Sequence, residues 1–310
     1  MADQFALRNH GREERRKVAM VDHIRNLRLR WSDLLKHATD ERLASSEVVR
    51  EESAGNARTM AVLLTTSTNI RIPILLLKPI ERADRQPVVL AICSQGKERL
   101  LKERSQDIAE LLERGATVCL VDPRGIGESK LGESHGRRSS ATSISSTALM
   151  LGTPLLGQQL RDVQIAISWL RDQREFKGRR VAIWGESLTP PNPDTALFRQ
   201  PRDDDQALPA PSEPQAPLLA LFAGLFEDDV SAIYTAGGLV SWRALLADYM
   251  VLTAHDSLVP GTRTIGDIYE LAEPYRSDRR VIIEAAVDGW NRLAPNTPKR
   301  SNPAKWLINP

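Results

Sequence analysis

Apolar and polar residues follow two different rhythms along the chain, and the rhythm changes near residue 46. Up to about residue 45, apolar side chains recur every three or four positions among charges, which predicts an amphipathic helix. From Glu47 to about Ile80, two apolar runs at 59–64 and 70–77 flank a polar Thr-Ser-Thr-Asn turn. This pattern predicts an antiparallel strand pair, in which Pro73 favours an edge position.

The rest of the chain alternates short, continuous apolar runs with helical segments. Runs of this kind predict strands buried on both faces, and therefore an α/β fold with a mostly parallel sheet covered by helices on both sides. The predicted strands span 88–93, 117–121, 181–184, 230–235 and 280–286, and the predicted helices span 98–114, 148–174 and 242–250.

Two segments interrupt this alternation. Residues 190–217 hold eight prolines and the acidic run 203–205 with almost no periodicity, which predicts a lid-like or surface insertion. After Gly289 the chain is polar and punctuated by prolines, and a short apolar stretch at 306–308 is the last readable element. The predicted domains are a helical extension over 1–45 and an α/β domain over 46–310 that contains the insertion.

Composition excludes several classes of partner. Charged residues make up 26% of the chain and hydrophobic residues 41%, and the net charge of +2 comes from interleaved acids and bases, which argues against a nucleic-acid partner. No apolar stretch approaches the roughly 18 residues of a membrane helix, and the N-terminus lacks a signal-peptide core. With Met1 as the true start we expect a cytoplasmic protein, whereas a longer N-terminus would allow an extracytoplasmic one.

The two cysteines, Cys93 and Cys119, both lie in apolar strand-like runs. They are expected to be buried, reduced thiols, since no partner residues for a metal site accompany them. The sequence therefore predicts neither a metal nor another cofactor, and it leaves the oligomeric state open.

The candidate chemistry centres on Ser187, at the end of the apolar run that begins at Val181. A strand ending in Gly-x-Ser is the pattern of a nucleophile elbow, in which the serine sits on a sharp turn from strand to helix. A serine nucleophile also needs a base and donors for the developing oxyanion. The predicted donors are the amide of Leu188 and a group in the 94–97 loop, assigned to Gln95.

The sequence after Ser187 departs from the usual elbow. Thr189 stands where the second glycine of the motif is expected, and a helix does not easily run through Pro190 and Pro191. A chance Gly-x-Ser after a strand is the alternative interpretation.

A second glycine-rich loop supports the hydrolase interpretation. Residues 122–129 read Asp-x-Arg-Gly-x-Gly-x-Ser and follow a predicted buried strand. The phosphate-loop and dinucleotide-binding patterns are both missing from it. Asp122 and Arg124 are expected to form a structural ion pair.

With these two loops in order, residues 47–290 resemble the α/β-hydrolases, and more closely their acetyl xylan esterase-like and dienelactone hydrolase-like branch. The other matching segments are 227–230, 237–239 and 255–261. The resemblance implies a serine, acid and histidine triad in chain order. It also implies hydrolysis of short acyl esters through an acyl-serine intermediate, with a small-molecule or carbohydrate ester as substrate.

The resemblance places the acid of the triad at Asp288, but only 22 residues follow it and none is a histidine. Either the chain is truncated, so that the family's last strand, helix and histidine would lie beyond Pro310, or the pattern has changed. His255, in the C-terminal half, is then the candidate base, oriented by Asp288 or Asp256. A structural histidine is the equal alternative, and His135 is expected to be exposed.

A function of another class stays open beside the esterase: a catalytically silent hydrolase-like domain with a binding or scaffolding role. The departures at Thr189, the prolines and the missing C-terminal histidine favour it. A prolyl-type peptidase shares the fold but usually carries a propeller domain, for which this chain is too short.

Overall fold

The described residues form one eight-stranded sheet. A computed structural model describes residues 20–36, 40–55, 57–80, 86–132, 140–195, 209–247, 251–272 and 280–308. The strand order is β1-β2-β3-β5-β4-β6-β7-β8, with β1, β2, β3 and β5 antiparallel neighbours and β5, β4, β6, β7 and β8 parallel. The strands are β1 (Leu43–Ala54), β2 (Ala57–Thr66), β3 (Arg71–Pro79), β4 (Val88–Cys93), β5 (Thr117–Val121), β6 (Val181–Glu186), β7 (Val230–Ala236) and β8 (Arg280–Glu284).

Helices cover both faces of this sheet, and two hydrophobic cores result. One core joins the sheet to α1, α5 and α6, and the other joins it to α2, α3 and α8. The helices are α1 (20–35), α2 (Lys97–Glu103), α3 (Ser105–Glu113), α4 (Ser140–Met150), α5 (Leu155–Asp172), α6 (Gln215–Phe226), α7 (Ile268–Ala272) and α8 (Ala304–Leu307).

The predicted α/β class and its mostly parallel sheet are confirmed. Every residue of β4, β5, β6 and β7 is buried, as their continuous apolar runs predict for strands covered on both faces. After β8, the described residues to 308 form no further strand, but they do form the short helix α8. The predicted loss of the family's last strand and helix stays a prediction.

The start of the sheet differs from the prediction in two ways. β1 begins at Leu43, inside the segment predicted to be helical, and it adds a third strand to the antiparallel start. Its sequence gives little signal because nearly all its side chains are exposed. The edge position predicted for Pro73 is wrong, since β3 lies between β2 and β5; the pairing with β5 begins at Ile74, so the missing proline N–H falls just outside that ladder.

Three predicted helices have other bounds. The 98–114 segment is two helices that meet at Arg104, and the 148–174 segment is two helices separated by a turn at Gly152. The predicted 242–250 helix is a 3₁₀ turn at Arg243–Leu246, and residues 248–250 lie outside the described part of the chain.

Helix α6 was not predicted, and its first residues fall in the segment interpreted as a proline-rich insertion. The helix is apolar on all sides and is buried between the sheet and α5, so it shows none of the periodicity that marks a surface helix. The described parts of the insertion are therefore 190–195 and 209–214, and the core resumes at Gln215.

Helix α1 packs on the α/β core. Trp31 is fully buried and meets Phe222 of α6 edge-on, with ring centroids 4.9 Å apart. The division into an extension and a main domain stays a prediction. None of the helices in the described residues is long and apolar enough to cross a membrane.

Both cysteines are buried and free, as predicted. Burial raises the pKa of Cys93 to about 12 and also raises the pKa of Cys119, so both thiols stay protonated at neutral pH.

Gly185 fixes the distance between β6 and α6. A Cβ atom at this position would lie 2.4 Å from the carbonyl oxygen of Ala216 and 2.6 Å from the Cβ of Ala220. The helix can rest against the end of β6 because residue 185 has no side chain.

We expect Gly185→Ala to lower the free energy of unfolding by about 3 kcal/mol, since overpacking against a backbone oxygen forces the helix away. Urea denaturation of the purified protein measures the change. Gly178→Ala is the control: its added Cβ meets nothing within 4 Å, and only the positive φ of 78° is strained, at about 1 kcal/mol. Equal losses in the two variants would contradict the close packing.

Candidate active site

Ser187 lies at the carboxyl end of β6, between the ends of β4 and β7. Its side chain is 2% exposed, and its amide donates to the carbonyl oxygen of Ala236 in β7 at 2.9 Å. The resemblance stated above predicts the nucleophile at this position, above a central parallel strand.

The chain around Ser187 does not form the sharp turn of an elbow. β6 ends at Glu186, and the helix that packs on it begins at Gln215. The described residues between them, 187–195 and 209–214, form no helix. Ser187 is also not among the residues with positive φ. The strained strand-to-helix turn that exposes a nucleophile is therefore not seen here.

Gln95 fills the space in front of Ser187 and Leu188. Its side-chain oxygen accepts a hydrogen bond from the Leu188 amide at 2.7 Å. Its side-chain nitrogen lies 3.4 Å from Ser187 Oγ, 2.9 Å from Thr189 Oγ1 and 2.6 Å from Glu213 Oε2. The Leu188 amide, a predicted oxyanion donor, thus already donates a hydrogen bond within the protein. Its acceptor is the side-chain oxygen of Gln95, the other residue predicted for the oxyanion site.

Asp122 holds the loop that carries Gln95. Its carboxylate accepts from the amide of Lys97 at 2.8 Å, from Lys97 Nζ at 2.9 Å and from the amide of Glu128 at 3.0 Å. A Cβ atom at Gly127 would lie 2.1 Å from this carboxylate, so the glycine lets the two loops meet.

The predicted ion pair between Asp122 and Arg124 is wrong. Arg124 donates instead to Asp162 of α5, at 2.6 Å and 2.9 Å, and to Glu41 at 2.9 Å. Asp122 therefore braces the loop that carries Gln95, and Arg124 braces α5 and Glu41. Both have structural roles.

Glu186, next to Ser187, is a fully buried carboxylate. Arg104 binds it at 2.7 Å and Arg300 at 3.1 Å, and Trp184 Nε1 donates to it at 2.9 Å. Burial alone would lower the pKa of Arg104, but hydrogen bonds and attraction from Glu186 outweigh this and raise it above its ordinary value. Arg300 also donates to the carbonyl oxygen of Ser187.

His255 forms its hydrogen bonds with α4. Its Nδ1 lies 3.0 Å from Ser145 Oγ, and that hydroxyl lies 3.1 Å from the His255 carbonyl oxygen. The Ser145 hydroxyl gives its one hydrogen to the His255 carbonyl oxygen, so it must accept in its contact with the ring. The ring proton is therefore assigned to Nδ1, and Nε2 is left as the acceptor. Among the described residues, no hydrogen bond joins His255 to Ser187.

Asp288 and Asp256 each have other partners. Asp288 accepts from the amides of Trp290 and Arg292, both at 2.9 Å, and from Arg292 Nε at 2.8 Å. Asp256 is hydrogen-bonded to Gln215 at the start of α6, and burial raises its pKa. The described structure thus places Ser187, His255 and Asp288 in three separate hydrogen-bond networks, and their triad stays a prediction. His135 lies outside the described residues.

Thr189 and Glu213 belong to the site, and the sequence analysis did not assign them a role. Thr189 Oγ1 donates to Glu213 Oε2 at 2.5 Å, and both side chains bind Gln95. Thr189 was noted as a departure from the elbow motif, which was the available signal. Glu213 was not identified because it lies in the proline-rich segment, just before α6, a helix that was not predicted.

A cavity of about 320 Å³ opens beside this network. One wall comes from the chain just after β6 and the other from the chain after β8. The lining residues are Thr189, Pro191, Ala285, Val287, Leu293, Thr297, Pro298, Lys299 and Arg300.

Solved structures with similar folds include esterases. A Bacteroides fragilis protein whose acetyl xylan esterase assignment is provisional superposes with a TM-score of 0.65 at 14% identity, over 85% of this chain and 67% of that one. The chain has the α/β-hydrolase fold. A methylesterase superposes with a TM-score of 0.54 at 12% identity, over 88% of this chain and 51% of that one. No protein-family model and no curated protein matches the sequence.

The α/β-hydrolase resemblance inferred from the sequence is therefore confirmed at the level of the fold, including its likeness to acetyl xylan esterase structures. At such low identities the comparison carries no substrate and no catalytic residue to this chain.

We expect Glu186→Gln to lower the free energy of unfolding by about 3 kcal/mol, because it leaves two guanidinium groups around a neutral amide in a buried site. Urea denaturation measures this change. Glu103→Gln removes an exposed pair with Arg99, and we expect that control to cost about 0.5 kcal/mol or less. Similar losses of unfolding free energy in the two variants would show that the buried carboxylate contributes no more to stability than the exposed one.

Proposed function

We propose that this chain is an α/β-hydrolase-fold domain that binds a small molecule without hydrolysing it. The contact between Gln95 and Leu188 carries the proposal. The Gln95 side-chain oxygen lies 2.7 Å from the Leu188 nitrogen, where the carbonyl oxygen of a bound ester would have to sit.

Displacing Gln95 is unfavourable. An ester carbonyl would replace its bond to Leu188 but not its bonds to Thr189 and Glu213. A hydrogen bond to a charged group contributes about 1.5–3 kcal/mol, and a buried donor left without a partner costs a similar amount. The exchange therefore disfavours substrate by a few kcal/mol before any chemistry begins.

Ser187 also lacks the partner that would activate it. Its Oγ accepts a hydrogen bond from the amide nitrogen of Gln95, and an amide N–H₂ group cannot take the proton that a nucleophilic serine must lose. A positioned general base is worth about 10²- to 10⁴-fold in rate. The histidine and the acids that could serve are bonded to Ser145, Arg292 and Gln215.

A serine esterase is the second candidate, and one observation favours it. Ser187 and the Leu188 amide stand together at the end of a central strand beside an open cavity, and the tautomer of His255 leaves Nε2 able to accept a proton. In that scheme Ser187 attacks, His255 takes its proton, Asp288 orients the base, and Leu188 with the Gln95 loop holds the oxyanion. The substrate would be a short acyl ester, with acetylated carbohydrate among the choices.

The two candidates are separated by a fluorophosphonate probe and by hydrolysis of p-nitrophenyl acetate. For the binding domain we expect labelling and turnover no higher in the wild-type protein than in Ser187→Ala, because the serine is not activated. Labelling that disappears in Ser187→Ala and slows in His255→Ala would instead establish the esterase. Labelling that survives in Ser187→Ala would place the reactive group elsewhere.

Removing the Gln95 side chain tests whether occlusion alone silences the site. We expect Gln95→Ala to lower the free energy of unfolding by about 1–3 kcal/mol, since the Leu188 amide and Glu213 lose a partly buried partner. We expect it to remain unlabelled by the fluorophosphonate, since Ser187 still lacks a base. Gln173→Ala, which removes one bond to the carbonyl oxygen of Trp169, is the matched control. Labelling that appears in Gln95→Ala would show a competent enzyme held closed by this side chain.

A further inference from the structure

The cavity beside Thr189 has an apolar body. Pro191, Ala285, Val287, Leu293 and Pro298 supply most of its walls. Its volume of about 320 Å³ lies at the lower end of the range found for small-molecule sites. A compact apolar group such as a benzene ring or a short alkyl chain suits these walls.

One end of the cavity is cationic. Lys299 and Arg300 follow each other along the wall formed by the chain after β8. Lys299 is exposed, and no carboxylate of the described residues lies within ion-pair distance of it. Arg300 divides its donors between Glu186 and the carbonyl oxygen of Ser187.

The neighbouring carboxylates do not neutralise Lys299. Asp288 is paired with Arg292, and Glu284 accepts hydrogen bonds from Tyr234 and from both the amide and the hydroxyl of Ser301. Glu186 is enclosed by its two arginines. Glu213 accepts hydrogen bonds from Thr189 and Gln95 and is not among the lining residues. The cavity lining thus holds one lysine without an ion-pair partner among the described residues, which matches a single negative charge on a ligand.

We infer that this cavity binds a small organic acid whose apolar body fills the pocket and whose carboxylate meets Lys299. A monoanion fits better than a phosphate ester, because Arg300 is already engaged and one lysine is left to pair. This inference names the ligand class of the binding domain proposed above and rests on that proposal for its role. Binding itself requires no turnover, so it is measured independently of catalysis.

Fluorine NMR with 4-fluorobenzoate and its neutral isostere 4-fluorobenzamide tests the inference on the full chain. We expect the benzoate to bind about tenfold more tightly than the benzamide, as a partly exposed charge-assisted contact allows. Lys299→Met keeps an apolar stem and should remove that difference. Lys305→Met removes an exposed lysine outside the cavity and should leave it unchanged.

A second pair of variants tests the location. Leu293 lines the cavity and is 49% exposed, so Leu293→Trp should fill the pocket and abolish binding without disturbing the core. Leu246→Trp, at an exposed leucine outside the lining, is the control and should bind as the wild type does.

The inference is overturned if the wild type binds neither compound, if both bind equally well, or if Leu293→Trp binds as tightly as Leu246→Trp. Ser187→Ala should keep full binding. Fluorophosphonate labelling of Ser187 together with benzoate binding would refute the silent domain and leave the acid site standing. The two proposals therefore fail separately.

Discussion

The buried carboxylate of Glu186 is the constraint on which the upper side of the sheet depends. It lies at the end of the central strand β6, fully enclosed, and it needs both Arg104 and Arg300 to offset its loss of hydration. Arg104 can reach it because the helical segment after β4 breaks at that residue. Arg300 can reach it because the chain after β8 folds back over the sheet, and this return also builds one wall of the cavity.

Contacts around Ser187 occupy the groups that a hydrolase would use, as the proposed binding domain requires. Arg300 holds the carbonyl oxygen of Ser187, and Asp122 fixes the loop that delivers Gln95 to the Leu188 amide. The fold has kept the geometry that presents a backbone donor beside a serine. The side chains of Gln95, His255 and Asp288, however, form hydrogen bonds with other groups of the protein. A fold and its chemistry are thus separate properties of this chain.

The sequence predicted the parts of the structure that depend on local pattern. The predicted bounds of four buried strands lie within two residues of the observed ones, because a strand covered on both faces must be apolar throughout. β1 was missed because it is exposed, and α6 was missed because a helix buried on every side has no periodicity. The loop with Gln95 was identified for its backbone, but the role of its side chain depends on Glu213, 118 positions away. Such a contact has no signature in a single sequence, and the same holds for the partners of Arg124.

The connection between Ser187 and α6 has a consequence for how this fold can vary. Asn192 accepts from the amide of Ala210 at 2.9 Å and donates to its carbonyl oxygen at 2.8 Å, which ties the two ends of the connection together. Once its ends are fixed, each doubling of a loop's length adds only about 0.6 kcal/mol of closure entropy. Segments of very different length and composition can therefore be exchanged between residues 192 and 210, starting next to the cavity-lining Pro191, at little cost to the core. Ligand preference could diverge at this point while the sheet beneath stays the same.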